Sequence, residues 1–424
     1  MAHHTIKQGY TNLVDRLNRF PQGAPPSDTL YKILSLLFSP KEAELVALLP
    51  IKPFRAKDAA SVWKMSETNA RKILEELASR AVLLDVDQEG DSLYVLPPPM
   101  AGFFEFSLMR TDGKPDKKIM AELFHQYLNV EEDFVKDLFT RGDTQLGRTF
   151  VNESALSQEN ALHVLDYERA SEIIQTSKYM GVSTCYCRHK KYHIGEACDA
   201  PMDICMTFGT SGESLIKHGY ARAVDKVEGM ELLHKAQEHN LVQFGENVQN
   251  GVNFICNCCG CCCEALTAAR KFAFMNPVHT TNFLPQVKTT SCNGCGKCVE
   301  VCGVEAMTLV SANDPHSPKR KMAIVDESRC LGCAVCVTVC KQEAISLKSL
   351  AKRVLTPING AHKTVMMAIE RGTLQHLIFD NQALLNHRIM ATILGVILKL
   401  PPIHQIMASE QIKSRYFGKL LENY

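Results

Sequence analysis

Asn253 to Leu266 reads NFICNCCGCCCEAL, which puts Cys256, Cys258, Cys259, Cys261, Cys262 and Cys263 into eight positions. Thiols at this density pair as disulfides, bind metal as thiolates, or react as nucleophiles. A disulfide framework serves small secreted chains that lack a core. This chain has 424 residues, 46% of them apolar, and is long enough for two to four domains with cores of their own. Its first residues, MAHHTIKQGYTNLVDRLNRF, are polar and charged, with no apolar stretch of the kind a secretory leader needs. The expectation is therefore a reducing cytoplasm, with thiolates acting as ligands. All 18 cysteines fall between Cys185 and Cys340, in four groups.

Cys292 to Cys302 spells CNGCGKCVEVC and Cys330 to Cys340 spells CLGCAVCVTVC, the same C-x2-C-x2-C-x3-C run twice. Doubled, that spacing specifies a pair of [4Fe–4S] clusters, because three closely spaced thiolates wrap three corners of a cube and the fourth must come from elsewhere. Two zinc sites of four thiolates each are the alternative that C-x2-C knuckles leave open. GVEAMTLV after Cys302 and KQEAISLK after Cys340 match each other, so each half reads as one unit of a pseudo-twofold fold. The segment resembles the bacterial two-cluster ferredoxins, in which the fourth cysteine of each run ligates the other cluster. That resemblance implies Cys292, Cys295, Cys298 and Cys340 on one [4Fe–4S] cluster, and Cys330, Cys333, Cys336 and Cys302 on the second. Gly303 and Lys341 stand where a proline usually follows the fourth cysteine in that family. The insert between the halves carries Lys319-Arg320-Lys321, a solvated loop or part of a docking surface for an acidic redox partner.

Ten thiols remain. Cys185, Cys187, Cys198 and Cys205 form a C-x-C-x10-C-x6-C set, enough for a third cluster or for one zinc. Arg188, Lys190, Lys191 and His193 lie among them and suit an anionic cluster, and His189 and His193 are further candidate ligands. The six cysteines from Cys256 to Cys263 contain a subset for a fourth centre. Successive side chains in extended chain point to opposite faces, so Cys258-Cys259 and Cys261-Cys262-Cys263 cannot all serve one centre. Three arrangements stay open. Four of the six bind a cluster while two pack as small apolar residues; or ligands are shared between this loop and the CxC segment; or the cluster is non-cubane, since Cys258-Cys259-Gly260 resembles a triplet of heterodisulfide-reductase-type subunits.

The elements that must position these thiols read as an α+β, multidomain chain. Residues 28–110 are winged-helix-like: helices through TLYKILSLLF, after Pro40, through AKDAASVWKM and through SETNARKILEELASRAVLL, then DVDQEGDSLYVLPPP as a hairpin wing. Ser66 is the expected N-cap of a helix whose Ala70, Ile73, Leu74 and Leu77 form one apolar face. Residues 111–285 read as a mainly helical cysteine-rich region. Within it NFICN is a short strand and EALTAARKFAF a helix, so that the helix N-terminus aims its N–H groups at the cysteine loop. The two-cluster ferredoxin unit occupies 286–349 and a helical tail 350–424.

Net charge is +1. Lys+Arg against Asp+Glu is 13 and 13 in residues 1–110, 25 and 29 in 111–350, and 9 and 4 in 351–424. The winged-helix-like region therefore offers little to phosphate, and no nucleic acid is expected as partner; docking or structural support is its expected role. The basic tail contains the apolar run Ile389 to Leu398, about half of a membrane span. A helix packed on its own protein is the expectation there, with a partner or peripheral membrane contact as the alternative.

Taken whole, the chain resembles a family of mostly uncharacterised 4Fe–4S binding proteins of anaerobes, with a winged-helix-like start, a CxC segment, a CNCC-x-CCC loop and a ferredoxin domain. The resemblance implies electron transfer as a class and names no substrate. P-loop, GxGxxG and HExxH motifs are missing from the sequence. The leading reading is an electron-transfer protein or subunit relaying single electrons through two [4Fe–4S] clusters, and one or two more, to a larger oxidoreductase. Two alternatives accompany it: a catalytic iron–sulfur oxidoreductase with its active-site cluster at Cys256–Cys263, and a redox-sensing winged-helix regulator, which the neutral charge of residues 1–110 disfavours.

Overall fold

The computed structural model describes residues 2–88, 90–110, 116–273, 277–315, 317–380 and 385–398. It begins with α1 (Ala2–Leu17), which packs on α3 (Pro40–Ala47) across α2 (Asp28–Leu37). Ser27 caps α2 by accepting the Leu30 N–H at 3.1 Å, and Ser39 with Glu42 forms a capping box on α3. After β1 (Phe54–Arg55) and α4 (Ala56–Trp63) comes α5 (Glu67–Ser79), where Ser66 accepts the Asn69 N–H at 3.4 Å and Ala70, Leu74 and Leu77 are buried. The hairpin of β2 (Leu84–Gln88) and β3 (Asp91–Val95) completes an antiparallel sheet in the order β1-β3-β2.

Three helices follow, α6 (Phe104–Met109), α7 (Lys117–His125) and α8 (Asp133–Thr140), the last two with the apolar residues at three- and four-residue intervals that a helix needs. From there the region holds more helix than strand, as expected, but a six-stranded antiparallel sheet that the sequence showed only at NFICN organises it. Its strands are β4 (Gly147–Thr149), β5 (Met180–Thr184), β6 (Asp203–Phe208), β7 (Arg222–Ala223), β8 (Val242–Glu246) and β9 (Phe254–Cys258), in the order β4-β8-β9-β6-β5-β7. The connections carry α9 (Gln158–Ala161), α10 (Ala170–Thr176), α11 (Tyr186–His193), α12 (Gly209–Lys217) and α13 (Lys226–Glu238), and α14 (Glu264–Lys271) follows the last strand. Every residue of β4 and β8 is buried, as are the first four of β5. A strand covered on both faces shows no apolar–polar alternation, so the period that marks a half-buried strand is missing.

The hairpin docks on this sheet's periphery. Asp85 in β2 is 3% exposed. It accepts from Ser214 Oγ of α12 at 2.8 Å, from Lys217 Nζ at 2.8 Å and from His218 Nε2 at 2.9 Å, and its own N–H donates to Ser214 Oγ at 3.2 Å. Burial pushes the Asp85 carboxyl up, but the three donors, His218 foremost, outweigh burial and hold it well below the usual carboxylate range. A depressed folded pKa stabilises above the unfolded pKa near 4 and is lost as pH falls below it. Asp85→Asn is therefore expected to lower the thermal midpoint at neutral pH and to flatten its fall below about pH 4, measured by a pH series of melts on both proteins.

The ferredoxin-like segment pairs β10 (Phe283–Val287) with β13 (Ile345–Ser349), and β11 (Met307–Ser311) with β12 (Lys321–Val325), all antiparallel. Its short helices α15 (Lys297–Glu300) and α16 (Val335–Thr338) carry Cys298 and Cys336 at matching places in the two halves. In the tail, α17 (Gly360–Arg371) is tied down by the buried Lys363–Glu246 pair and by Arg371, which donates to the Pro21 carbonyl at 2.7 Å. It is followed by α18 (Leu374–Ile378) and α19 (Leu385–Leu398). Ile389, Met390 and Ile393 of α19 are exposed while Ala391 is buried; the tail beyond Leu398 lies outside the described residues. Among the described residues no helix is long and apolar enough to cross a membrane. One continuous core runs from Tyr10 and Leu13 through Phe104, Phe124 and Leu266 to Val304 and Val335, crossing the boundaries expected near 110 and 286.

Candidate metal centres

Three adjacent strands, β5, β6 and β9, assemble six of the ten remaining thiols. Met206 of β6 pairs with Ile255 of β9, and one step along that antiparallel register sets Cys205 beside Cys256. Cys256 and Cys258, two apart on β9, face the same side of the sheet. Asn257 between them turns to the other side, where its Nδ2 donates to the Ile204 carbonyl at 2.7 Å and its Oδ1 accepts from Gln243 Nε2 at 3.2 Å. Just past β5, Cys185 is the N-cap of α11 and Cys187 sits in its first turn; Cys263 is the N-cap of α14. Both helices thus begin at the thiols, with unpaired N–H groups and positive dipole ends directed there.

These six thiols close a ring in the order Cys185, Cys205, Cys256, Cys258, Cys263, Cys187, each near enough to its two neighbours to shift their ionisation. Cys263 and Cys258 are 3.2 Å apart at Sγ. The direction of the pKa shift alternates around it. Cys185, Cys256 and Cys263 accept from both neighbours and are held below the ordinary thiol range, Cys256 at about 5 and Cys263 at about 6. Cys187, Cys205 and Cys258, the donors, are pushed well above it.

The ring forms part of the wall of a cavity of about 90 Å³, lined on the other sides by groups that include the apolar Met100, Phe106, Met109 and Phe254. Arg188, 1% exposed, lines it too and donates to the Pro201 and Asn257 carbonyls. Burial alone would lower its pKa, but Cys185, Cys205, Cys259 and Cys258 outweigh burial and hold the guanidinium charged. A fixed buried cation beside six thiols is what an anionic iron–sulfur cluster needs. Glu105 lines the same cavity; burial first, and then the charge of Cys256, Cys263 and Cys185, drive its carboxyl well above the usual range.

The other four thiols form a separate group. Cys198, Cys259, Cys261 and Cys262 have all four Sγ atoms within 4.8 Å of one another. Cys259 belongs to this group and Cys258 to the ring, as the alternation of side chains in extended chain requires. Residues 260–262 form a turn, closed by the Cys263 N–H to the Cys259 carbonyl at 3.3 Å, so the neighbours Cys261 and Cys262 can face one point.

In the ferredoxin-like segment, one small cavity is bordered by Cys292, Cys295, Cys298 and Cys340. Cys302 lies instead beside Cys330, Cys333 and Cys336, close enough for its charge to raise all three, although burial is the larger cause in each. Backbone N–H groups of Ala323 and Ala306 donate to Cys292 Sγ at 3.4 Å and Cys302 Sγ at 3.2 Å, contacts of the kind that tune a bound cluster. Gly294 and Gly332, at matching places in the two runs, both take φ +69°, where a side chain would be strained and would strike the carbonyls of Lys321 and Phe283 respectively. The thiols present thus fit two cubes.

Residues 291–344 match the family model of the 4Fe-4S dicluster domain. No curated protein and no solved structure matches the chain. Together with the clustered cysteines, the match supports iron–sulfur binding and an electron-transfer role.

The dicluster segment touches the cysteine loop directly. Gly303 follows Cys302, and its built Cβ would stand 3.4 Å from Gly260 Cα and 3.3 Å from Leu266 Cδ1; a Cβ on Gly260 would meet the Gly303 backbone at 2.6 Å. Position 260 is the one that demands glycine, since a Cβ there would overlap the Gly303 backbone, whereas a Cβ at 303 would be in tight contact only. Arg320 of the insert donates to the carbonyls of Thr289 at 2.9 Å and Cys292 at 3.0 Å and pairs with Asp314.

Three further expectations are corrected. Cys185, Cys187, Cys198 and Cys205 do not form one set, because the chain between Cys187 and Cys198 runs out along α11 and returns to β6, leaving Cys198 beside Cys259. His189 donates from Nδ1 to the Leu108 carbonyl at 2.6 Å and meets His193 at 3.0 Å, so neither imidazole faces the ring. Of the basic residues in this stretch only Arg188 serves the thiols; Lys190 is buried against Glu264 and Asn129, and Lys191 pairs with Glu196. Glu105 carried no sequence signal, since it comes to the ring only through the packing of α6 on α11 and β5.

Proposed function

We propose that the chain is an iron–sulfur electron-transfer protein whose dicluster segment exchanges single electrons with a redox partner protein and whose ring of six thiols holds a further iron–sulfur centre. The observation that carries this reading is the Gly260–Gly303 contact, which seats Cys302 of the dicluster segment against the loop that supplies half of the ring. Clusters bound at these thiols would supply reversible one-electron chemistry. The proposed ligand sets are Cys292, Cys295, Cys298 and Cys340 for one cube, and Cys330, Cys333, Cys336 and Cys302 for the other. The chain's own part is to hold the thiolates, to neutralise them with Arg188 and two helix N-termini, and to keep water from the ring with an apolar wall. Under this proposal the division at 28–110, 111–285, 286–349 and 350–424 is functional, the first unit bracing the second through Asp85, with the cytoplasm as the working compartment.

A second reading, a catalytic oxidoreductase, is favoured by one feature: the cavity beside the ring holds a carboxyl, Glu105, whose pKa is driven well above the usual carboxylate range among apolar walls. The regulator reading has less support, because two cations of the helix that would face DNA are already paired, Arg71 with Glu67 at 2.9 Å and Asp91 at 2.8 Å, and Arg80 with Glu42.

Anaerobic titration of the full chain with dithionite tests the proposal. Reversible bleaching of the charge-transfer absorption in one-electron steps is expected, part of it lost in Cys298→Ala. A spectrum without such absorption, or bleaching that does not reverse, contradicts it.

A further inference from the structure

The compact group of Cys198, Cys259, Cys261 and Cys262 differs from the other thiols in a way that identifies its occupant. Zinc–thiolate bonds of about 2.3 Å place the corners of a tetrahedron about 3.8 Å apart. The Sγ separations here are 3.6 Å for Cys198–Cys259, 3.8 Å for Cys262–Cys198 and 3.6 Å for Cys261–Cys262. A cube distributes its four thiolates over four irons and so holds them farther apart. The dicluster segment supplies the internal comparison. Among the described residues, no group of three or more of its thiols has its sulfurs all within 4.8 Å of one another, and the same holds for the six-thiol ring.

We infer that these four thiols bind a single tetrahedral ion, zinc by the chemistry of a closed four-thiolate set, and not a fourth iron–sulfur cluster. The inference stands apart from the electron-transfer reading, because zinc carries no electrons. Its role is mechanical. Cys198 belongs to the loop returning from α11 to β6, and Cys259, Cys261 and Cys262 to the turn between β9 and α14, so the ion staples together two connections that lead to ring thiols. Arg188 bridges the same two segments through Pro201 and Asn257.

Metal analysis and zinc-edge X-ray absorption on the full-length protein, purified without air, test this. About one zinc per chain is expected, with four sulfur neighbours at about 2.3 Å. Cys198→Ser, and separately Cys261→Ser at an exposed thiol, should each lower zinc to less than half while iron and sulfide stay unchanged. Should either variant fail to fold, the other and the wild-type zinc-edge spectrum still decide. Absence of zinc from the wild type, or loss of iron in either variant, overturns the inference.

Discussion

Replacing Cys205, Cys256 and Cys258 together with serine should remove about four irons or more from each chain and leave the dicluster irons in place. These three occupy adjacent places in the ring and come from two paired strands, so the change takes away half of the thiolates without touching the helix starts at Cys185 and Cys263. Because no three ring thiols have their sulfurs all within 4.8 Å, the ring surrounds a space larger than one ion occupies. Its occupant is therefore expected to be polynuclear. Iron and labile-sulfide analysis, with low-temperature paramagnetic resonance of the dithionite-reduced variant, separates the two sets of irons. A variant that keeps every iron shows that the ring holds no cluster.

Lys190→Met should cost about 3–5 kcal/mol of stability, the largest single-residue effect expected outside the cysteines. Lys190 is 0% exposed and pairs with Glu264, which is itself buried at the start of α14, while Asn129 bonds both partners, at 2.6 Å to Lys190 and 2.8 Å to Glu264. Removing the lysine leaves an uncompensated carboxylate in the core. The pair also sets the spacing of α11 and α14, whose first residues carry ring thiols, so the loss of stability should come with a loss of iron. A melt of the anaerobic protein checks the first part. Lys190→Met with Glu264→Leu should regain most of the midpoint, since a buried pair replaced by apolar groups of similar volume is often neutral. A single variant that melts with the wild type would show the charge to be solvated.

What the sequence displayed, and what it hid, follows from where each constraint lives. The doubled run of four cysteines was legible because its thiols recur at fixed spacing within one segment, and Ser66 as a cap because its partner is three residues away. The β9–loop–α14 unit could be read from NFICN and EALTAARK for the same reason. The partition of ten thiols into six and four could be approached only by the rule that Cys258 and Cys259 must part company. Which distant cysteine each would join depends on β6 lying between β5 and β9, and strands buried on both faces do not advertise their order. Glu105, the Asp85 docking contact and the Lys190–Glu264 pair each join residues far apart in the chain, with no local pattern to mark them. Gly303 was visible as a departure from the family's proline, but the contact of its backbone with Gly260 is a tertiary fact.

The ring of six thiols is proposed to hold an iron–sulfur centre in addition to those of the dicluster segment. Counting iron and acid-labile sulfide per chain in full-length protein purified without air tests it most directly. More iron than the roughly eight atoms of two cubes, with sulfide in near-equal amount, is the predicted result. Eight irons or fewer per chain, in protein whose dicluster segment is fully loaded, would contradict it.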